Sequence, residues 1–107
     1  MKTDTIAAIA TAMSSSGIGI VRISGEEAVS VTEKIFEMKN HKTLSEMPTH
    51  TIHYGHIHDG DEVIDEVMVL LMCGPKSYTR EDTVEIECHG GVYVMKSILE
   101  TVIKYGA

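Results

Sequence analysis

The chain has 107 residues, of which 43% are hydrophobic, and its mean hydropathy of +0.03 excludes a disordered polypeptide. A formal charge of −7 repels phosphate backbones and argues against direct nucleic-acid binding by this chain alone. No apolar run is as long as a membrane span, and the first residues lack a secretory signal pattern. We therefore expect one cytoplasmic domain over residues 1–107. Cys73 and Cys88 are expected to be reduced core thiols, with a single disulfide as the alternative.

The first half of the chain predicts two strands, a helix and a surface connection. They cover, in order, residues 5–10, 18–24, 25–39 and 40–50. Ser24 and Glu27 have the spacing of a capping box, so the helix is predicted to begin at Gly25. Pro48 argues against regular structure in the connection. The buried stripe of the helix is predicted to contain Ala28, Val31, Ile35 and Phe36.

The second half predicts a hairpin, one more strand and a second helix. The hairpin arms are residues 51–58 and 62–73, joined through the turn signal Asp59-Gly60-Asp61. A strand over residues 83–88 and a helix over residues 92–105 follow. The buried side of that helix is predicted to contain Met95, Ile98, Leu99, Val102 and Ile103. Five strands with two helices indicate an α+β domain with a mixed five-stranded sheet.

The best candidate site lies around the strand at residues 83–88 and the charged loop before it. Alternation places Val84, Ile86 and Cys88 on one face and Thr83, Glu85 and Glu87 on the other. Glu85 and Glu87 could be a solvated sheet face. Alternatively, one carboxylate faces a pocket and accepts two parallel N–H bonds from a planar ligand such as a guanidinium or an aminopyrimidinone ring. Arg22, which interrupts a buried strand, must be paired or face a cleft, and would bind an anionic or carbonyl group of the same ligand.

The other motifs are weaker indications of a functional site. Residues 14–19 are rich in serine and glycine but lack the lysine of a phosphate-binding loop, so a turn is the preferred interpretation. His50, His56 and His58 could share one strand face and bind zinc, but no second motif supports a metal site. His89 is either a strand-end residue or a site residue. Since we recognise no nucleophile–base pair in the sequence, we expect no catalytic residue in this chain.

Four blocks of sequence then resemble a known family. They are residues 4–11, residues 17–25, residues 74–82, and Glu85 with residues 89–91. In this order they are similar to the N-terminal domain of tRNA modification GTPases of the MnmE (TrmE) type. The resemblance implies a fold related to the tetrahydrofolate-binding domain of aminomethyltransferases, homodimerisation, and binding of 5-formyltetrahydrofolate or 5,10-methylenetetrahydrofolate. By position it assigns Arg22 and Glu85 to folate binding. Arg80, where glycine is frequent, and residues 11–16 depart from the family pattern.

The same resemblance implies a larger parent protein. Such a protein hydrolyses GTP with potassium and magnesium, and works with an MnmG-type FAD protein on the wobble uridine (U34) of tRNA, with folate as one-carbon donor. The GTPase, helical and C-terminal parts, and a downstream lysine that helps to bind folate, have no counterpart in these 107 residues. We expect weak folate binding and no GTP hydrolysis or tRNA modification from this chain alone. The alternatives are a pure dimerisation module and a stand-alone aminomethyltransferase-like protein.

Overall fold

An antiparallel sheet is the frame of the fold in the computed structural model, which describes residues 5–10, 18–38, 40, 42–73, 82–89 and 91–107. The strands are β1 (Ile6–Ile9), β2 (Gly19–Ser24), β3 (Phe36–Met38), β4 (Thr51–Asp59), β5 (Glu62–Met72) and β6 (Thr83–Cys88). The helices are α1 (Ala28–Ile35) and α2 (Gly91–Lys104), with a short 3-10 helix at Leu44–Glu46. The described residues thus form an α+β fold with two α-helices, as predicted.

The strand count and the strand directions differ from the prediction. The described strands form one six-stranded sheet in the order β1-β2-β6-β5-β4-β3, and every neighbouring pair is antiparallel. The prediction of a mixed five-stranded sheet was therefore wrong. The connection from β2 through α1 to β3 does join two strands of the same direction. However, β6, β5 and β4 lie between them, so no parallel pair forms.

Strand β3 lies where the sequence predicted the end of the first helix. Helix α1 ends at Ile35, and Phe36 already has an extended backbone, with φ −116° and ψ 124°. Phe36 and Met38 are buried while Glu37 is exposed, which is the alternation of a strand. The predicted burial of Phe36 is confirmed, but the residue belongs to β3 and pairs with Ile57 of β4.

The start of α1 also differs from the prediction. Gly25 has a φ of +139°, which is not helical, and its N–H donates to the carbonyl of Asp82. The N-cap is Glu27, which makes no side-chain capping bond, and its N–H donates to Oγ1 of Thr5 at 3.0 Å. The predicted capping box of Ser24 and Glu27 was therefore wrong, because Ser24 remains in β2 and tertiary partners take the place of the cap.

The core lies between the two helices and one face of the sheet. Helix α1 contributes Ala28, Val31 and Ile35, as predicted. Helix α2 contributes Met95, Ile98 and Val102 as predicted, and Leu99 packs at the edge of the core. Ile103 is 52% exposed, so its predicted burial was wrong, and Thr101 is buried in its place. The strands contribute Val21, Ile23, Ile57, Val67, Val69, Leu71, Val84, Ile86 and Cys88.

A glycine permits the close approach of the edge strand β3. Gly55 of β4 pairs with Met38, and a Cβ atom at Gly55 would overlap the carbonyl oxygen of Glu37 and lie 2.9 Å from the ring of Phe36. This position therefore requires glycine for space rather than for an unusual backbone angle.

Among the described residues, no helix has the length and apolarity needed to cross a membrane.

The tip of the hairpin is tied to the end of α2. The strands β4 and β5 are joined by the two residues Gly60 and Asp61, which confirms the predicted turn. Asp59 accepts hydrogen bonds from Lys104 Nζ at 3.0 and 3.1 Å and from the hydroxyl of Tyr105 at 2.9 Å. The bonds from Lys104, and then the bond from Tyr105, lower the pKa of Asp59 below its ordinary value.

The hydrogen bonds from Lys104 and Tyr105 to Asp59, which we call the clamp, should make the stability of the fold sensitive to acid. A carboxyl group whose pKa is lowered in the folded state adds stability above its unfolded pKa of about 4, and that stability is lost as the pH falls through the folded pKa. The substitution Asp59→Asn should therefore reduce the melting temperature by a few degrees at neutral pH and flatten its decline below about pH 4. Melting curves between neutral pH and strong acid measure both effects. Asp61→Asn in the same turn is the control, and an equal effect of the two substitutions would contradict the role of the clamp.

Candidate functional site

Arg22 and Glu85 form an ion pair between neighbouring strands. They occupy opposite positions in the register of β2 and β6. Both Nε and Nη2 of Arg22 lie 2.7 Å from Oε2 of Glu85. The side chain of Glu85 is 12% exposed and that of Arg22 is 38% exposed. The carboxylate is therefore held in a largely dry environment by a guanidinium that still reaches solvent.

The pair lies on the sheet face that points away from the core, which we call the open face because neither α1 nor α2 packs on it. The predicted alternation of β6 is confirmed, since Val84, Ile86 and Cys88 are core residues. Thr83 and Glu85 on the open face are nevertheless buried, and Glu87 is half-buried. The interpretation of the two glutamates as a solvated face is therefore wrong for Glu85.

A row of side chains crosses the sheet through this pair. The registers of the paired strands place Ala8, Arg22, Glu85, Leu70 and Ile52 opposite one another on β1, β2, β6, β5 and β4. The rows on either side are mainly apolar and contain Ile6, Ile20, Met68, Met72 and Tyr54. These rows also contain Ser24, Thr83 and Glu87, so the open face is a mixed surface with the Arg22–Glu85 pair near its centre and a second carboxylate beside it.

The structure describes only some of the other predicted site residues. The loop at residues 74–81 and the serine-rich residues 14–17 lie outside the described residues. Asp82 is described, and its carbonyl accepts the N–H of Gly25. His89 is exposed, and its backbone N–H donates to Asp65 Oδ2 at 3.0 Å. No sequence pattern indicates this role of Asp65, because the contact joins residues that are 24 positions apart in the chain.

The three histidines of the predicted zinc site have separate hydrogen-bond partners, although His56 and His58 line the same groove. His50 precedes β4, and its N–H donates to the carbonyl of Leu71. Nε2 of His56 lies 3.3 Å from the carboxylate of Glu66, and Nδ1 of His58 lies 3.2 Å from the carbonyl of Gly60. Within the described part of the chain, no group of three or more histidine, cysteine or acidic residues could hold a metal ion.

Cys73 and Cys88 are not bonded to each other, and only Cys88 is a buried core residue as predicted, since Cys73 is half-buried. Burial, with a smaller effect of Asp65, raises the pKa of Cys88 to about 11. Burial, followed by the charge of Asp82, also raises the pKa of Cys73. Because a thiolate is the reactive form, neither cysteine is suited to act as a nucleophile at neutral pH.

A groove lies elsewhere, between α2 and the β4–β5 hairpin. Its volume is about 640 Å³, and Glu62, Val63, Tyr93, Glu100 and Lys104 are among the residues that line it. It contains none of the predicted site residues and no buried charged pair. The chemistry of Arg22 and Glu85, and not the size of this groove, therefore defines the candidate site.

Comparisons with known proteins agree with the resemblance of the sequence. A family model described as the GTP-binding protein TrmE N-terminus matches residues 5–107. A tRNA modification GTPase MnmE of Lachnoclostridium phytofermentans is 61% identical over 100% of this chain and 24% of its own length. Proteins of the same name from Alkaliphilus oremlandii and Bacillus subtilis are 58% and 48% identical over 97% of this chain and 23% of their own lengths. The chain thus spans about a quarter of these relatives.

Proposed function

Because this chain belongs to the family of TrmE N-terminal domains, we propose that it binds a reduced folate and forms a homodimer within a tRNA-modifying GTPase. The ligand is 5-formyltetrahydrofolate or 5,10-methylenetetrahydrofolate. The observation that carries the proposal is the buried carboxylate of Glu85, paired with Arg22 on the open face of the sheet. A carboxylate held in place among apolar side chains has the chemistry that a flat heterocycle with a polar edge requires.

The chemistry of the carboxylate supports this choice of ligand. The aminopyrimidinone edge of a folate presents two neighbouring N–H donors, which match the spacing of the two carboxylate oxygens. Both bonds that Arg22 donates to Glu85 end on the same carboxylate oxygen, Oε2. Arg22 keeps the carboxylate charged and oriented, and its exposed part can meet a carbonyl or anionic group of the ligand.

The proposal extends to the parent protein through its relatives. Three relatives are named tRNA modification GTPase MnmE, and each is about four times as long as this chain. We place the domain in a cytoplasmic protein that uses GTP with potassium and magnesium. Together with an MnmG-type FAD protein, that parent would modify the wobble uridine of tRNA with the one-carbon unit of the folate. The net charge of −7 fits a domain that does not itself bind the tRNA.

A second candidate function is dimerisation without a ligand. Large apolar side chains are exposed on the open face, with Ile6 at 63%, Ile52 at 63% and Tyr54 at 43%. An exposed apolar patch of this kind is typical of a surface that meets another protein. Light scattering, together with ligand titrations that leave the protein unchanged, would favour this function over folate binding.

The test of folate binding compares two neighbouring glutamates. With 5-formyltetrahydrofolate in large excess over its dissociation constant, the melting temperature of the 107-residue chain should rise. Glu85→Gln should weaken binding by about 2 kcal/mol, or roughly thirtyfold, because it removes the charge from a desolvated bidentate contact. Titration calorimetry measures this loss directly.

Glu87→Gln is the matched control, since Glu87 lies two residues further along the same strand and face and is half-buried. It should leave the affinity nearly unchanged. Equal losses from the two substitutions would show that overall charge, and not the position of Glu85, determines binding. No shift of the wild-type melting temperature at millimolar ligand would refute folate binding by this chain.

A further inference from the structure

We propose that two copies of this chain associate through α2, with the two helices packed side by side and antiparallel. This inference rests on the proposed function, because it names the surface through which the proposed homodimer forms. A contact that leaves the open face accessible to a folate has to lie on another surface. Helix α2 meets this condition, since its buried side packs on the opposite face of the sheet.

The outer side of α2 carries four exposed side chains, which we call the α2 stripe: Tyr93, Lys96, Glu100 and Ile103. Tyr93 is 82% exposed and Ile103 is 52% exposed. Steps of three, four and three residues keep all four side chains on one side of a helix. This side lies opposite the fully buried Ile98, so the stripe points away from the core. Large apolar side chains exposed in this way are typical of a surface that meets another protein.

The order of residues in the stripe is complementary to itself. In both directions from position 98 a charged residue comes first and an apolar residue second, and the two charges have opposite signs. A twofold axis at position 98 therefore places Lys96 opposite Glu100 of the second copy and Tyr93 opposite Ile103 of the second copy, and it forms each contact twice. A parallel pair of helices would instead place like charges opposite each other, which is why the antiparallel arrangement is favoured.

The charges of the stripe are available for this contact. Among the residues that the structure describes, the side chains of Lys96 and Glu100 make no hydrogen bond or ion pair. They are four positions apart with the lysine first, which is the less favourable order for an ion pair within one helix. A second copy offers each of them a partner of opposite charge, so the pairing gives the contact its direction and its specificity.

The size of the surface indicates a reversible association. The groove between α2 and the hairpin shares Tyr93 and Glu100 with the stripe, and Val63 on its other wall is 61% exposed. Apolar surface therefore continues from the stripe into the groove. One helix and its groove still provide less than the roughly 800 Å² per partner of a standard interface. We expect a dimer that dissociates in the micromolar range.

The first test uses two complementary charge reversals in the 107-residue chain. Lys96→Glu leaves two glutamates in the stripe and Glu100→Lys leaves two lysines, so each variant alone should associate about tenfold more weakly than the wild type. An equimolar mixture of the two variants should regain association, because each contact across the axis then joins a lysine to a glutamate. Sedimentation velocity from about 1 µM to about 1 mM measures the association of each sample.

The second test compares two exposed isoleucines. Ile103 is 52% exposed on α2, and Ile52 is 63% exposed on the open face. Ile103→Ser should weaken association about thirtyfold, because the dimer buries this side chain twice, whereas Ile52→Ser should leave association unchanged. The melting temperature of Ile103→Ser should still rise with 5-formyltetrahydrofolate, since the ligand lies on the other face of the sheet.

Three results would overturn the inference and leave homodimerisation standing through another surface. They are a mixture of the charge variants that stays monomeric, dissociation caused by Ile52→Ser and not by Ile103→Ser, and stronger association of Glu100→Lys. The last result would indicate a general charge effect, since that variant is less acidic than the wild-type chain. A wild-type chain that stays monomeric at every concentration would overturn the proposed homodimer as well, while the response of the melting temperature to folate would still decide ligand binding.

Discussion

Arg22→Met should lower the free energy of unfolding by about 3 kcal/mol, because it removes the cation that balances a desolvated carboxylate. The side chain of Glu85 is only 12% exposed, so water cannot replace the two bonds from Arg22 without local opening. Glu85→Leu should lower the free energy of unfolding by less, about 1 kcal/mol, because the guanidinium of Arg22 is 38% exposed and can turn to solvent. Urea unfolding of the two variants measures this asymmetry.

The double variant Arg22→Met, Glu85→Leu should recover most of the stability lost in Arg22→Met. An apolar pair of similar volume avoids the desolvation of both charges, and the neighbouring positions Ala8 and Leu70 are already apolar. The same double variant should bind no folate, since the carboxylate is gone. Such a result would show that the ion pair is kept for recognition and not for stability. Additive losses in the double variant would contradict this account.

Gly55→Ala should destabilise the fold by about 3 kcal/mol, because the new methyl group would overlap the backbone of β3. The overlap is with the carbonyl oxygen of Glu37, which cannot move aside as a flexible side chain can. Strand β3 should separate from β4 and expose Phe36 and Met38, which are now 7% and 3% exposed. Urea unfolding gives the loss of stability, and hydrogen exchange gives the loss of protection in β3.

Gly60→Ala in the hairpin turn is the control for this prediction. A Cβ atom there would have nothing within 4 Å, so its cost comes only from a φ of +61°, at about 1 kcal/mol. It should also leave the amide protection of β3 unchanged. If Gly55→Ala were no worse than Gly60→Ala, the close packing of the two strands would not be what requires glycine at position 55.

The parts of the fold that sequence predicted are those with a strong local pattern. The strict alternation of residues 83–88 assigned both faces of β6 correctly, and the turn signal at Gly60 placed the hairpin. Strand β3 was missed because Phe36 also continues the helical spacing of Ala28, and three residues are too few to establish a period of two. The start of α1 was wrong because partners at Thr5 and Asp82, far away in sequence, determine it.

The candidate site was predicted residue by residue but not as a unit. Arg22 was singled out as a charge in an apolar strand, and Glu85 as a carboxylate on a strand beside a charged loop. The sequence assigned them to different groups of one ligand, whereas the structure joins them directly. They are 63 residues apart, and the strand order that brings β2 beside β6 is a property of the whole sheet. A single sequence contains no local signal for such a contact.

The pairing of β2 with β6 also has a consequence for synthesis. While the chain emerges from the ribosome, β4 and β5 can form their hairpin at once, because only two residues separate them. Strand β2 can pair only with β1 until β6, which ends at residue 88, has been synthesised. Bringing β2 and β6 together closes a much longer loop than the hairpin does, so it costs more chain entropy. The Arg22–Glu85 pair therefore forms only after β6 has been synthesised, and a chain that stops before residue 85 lacks it altogether.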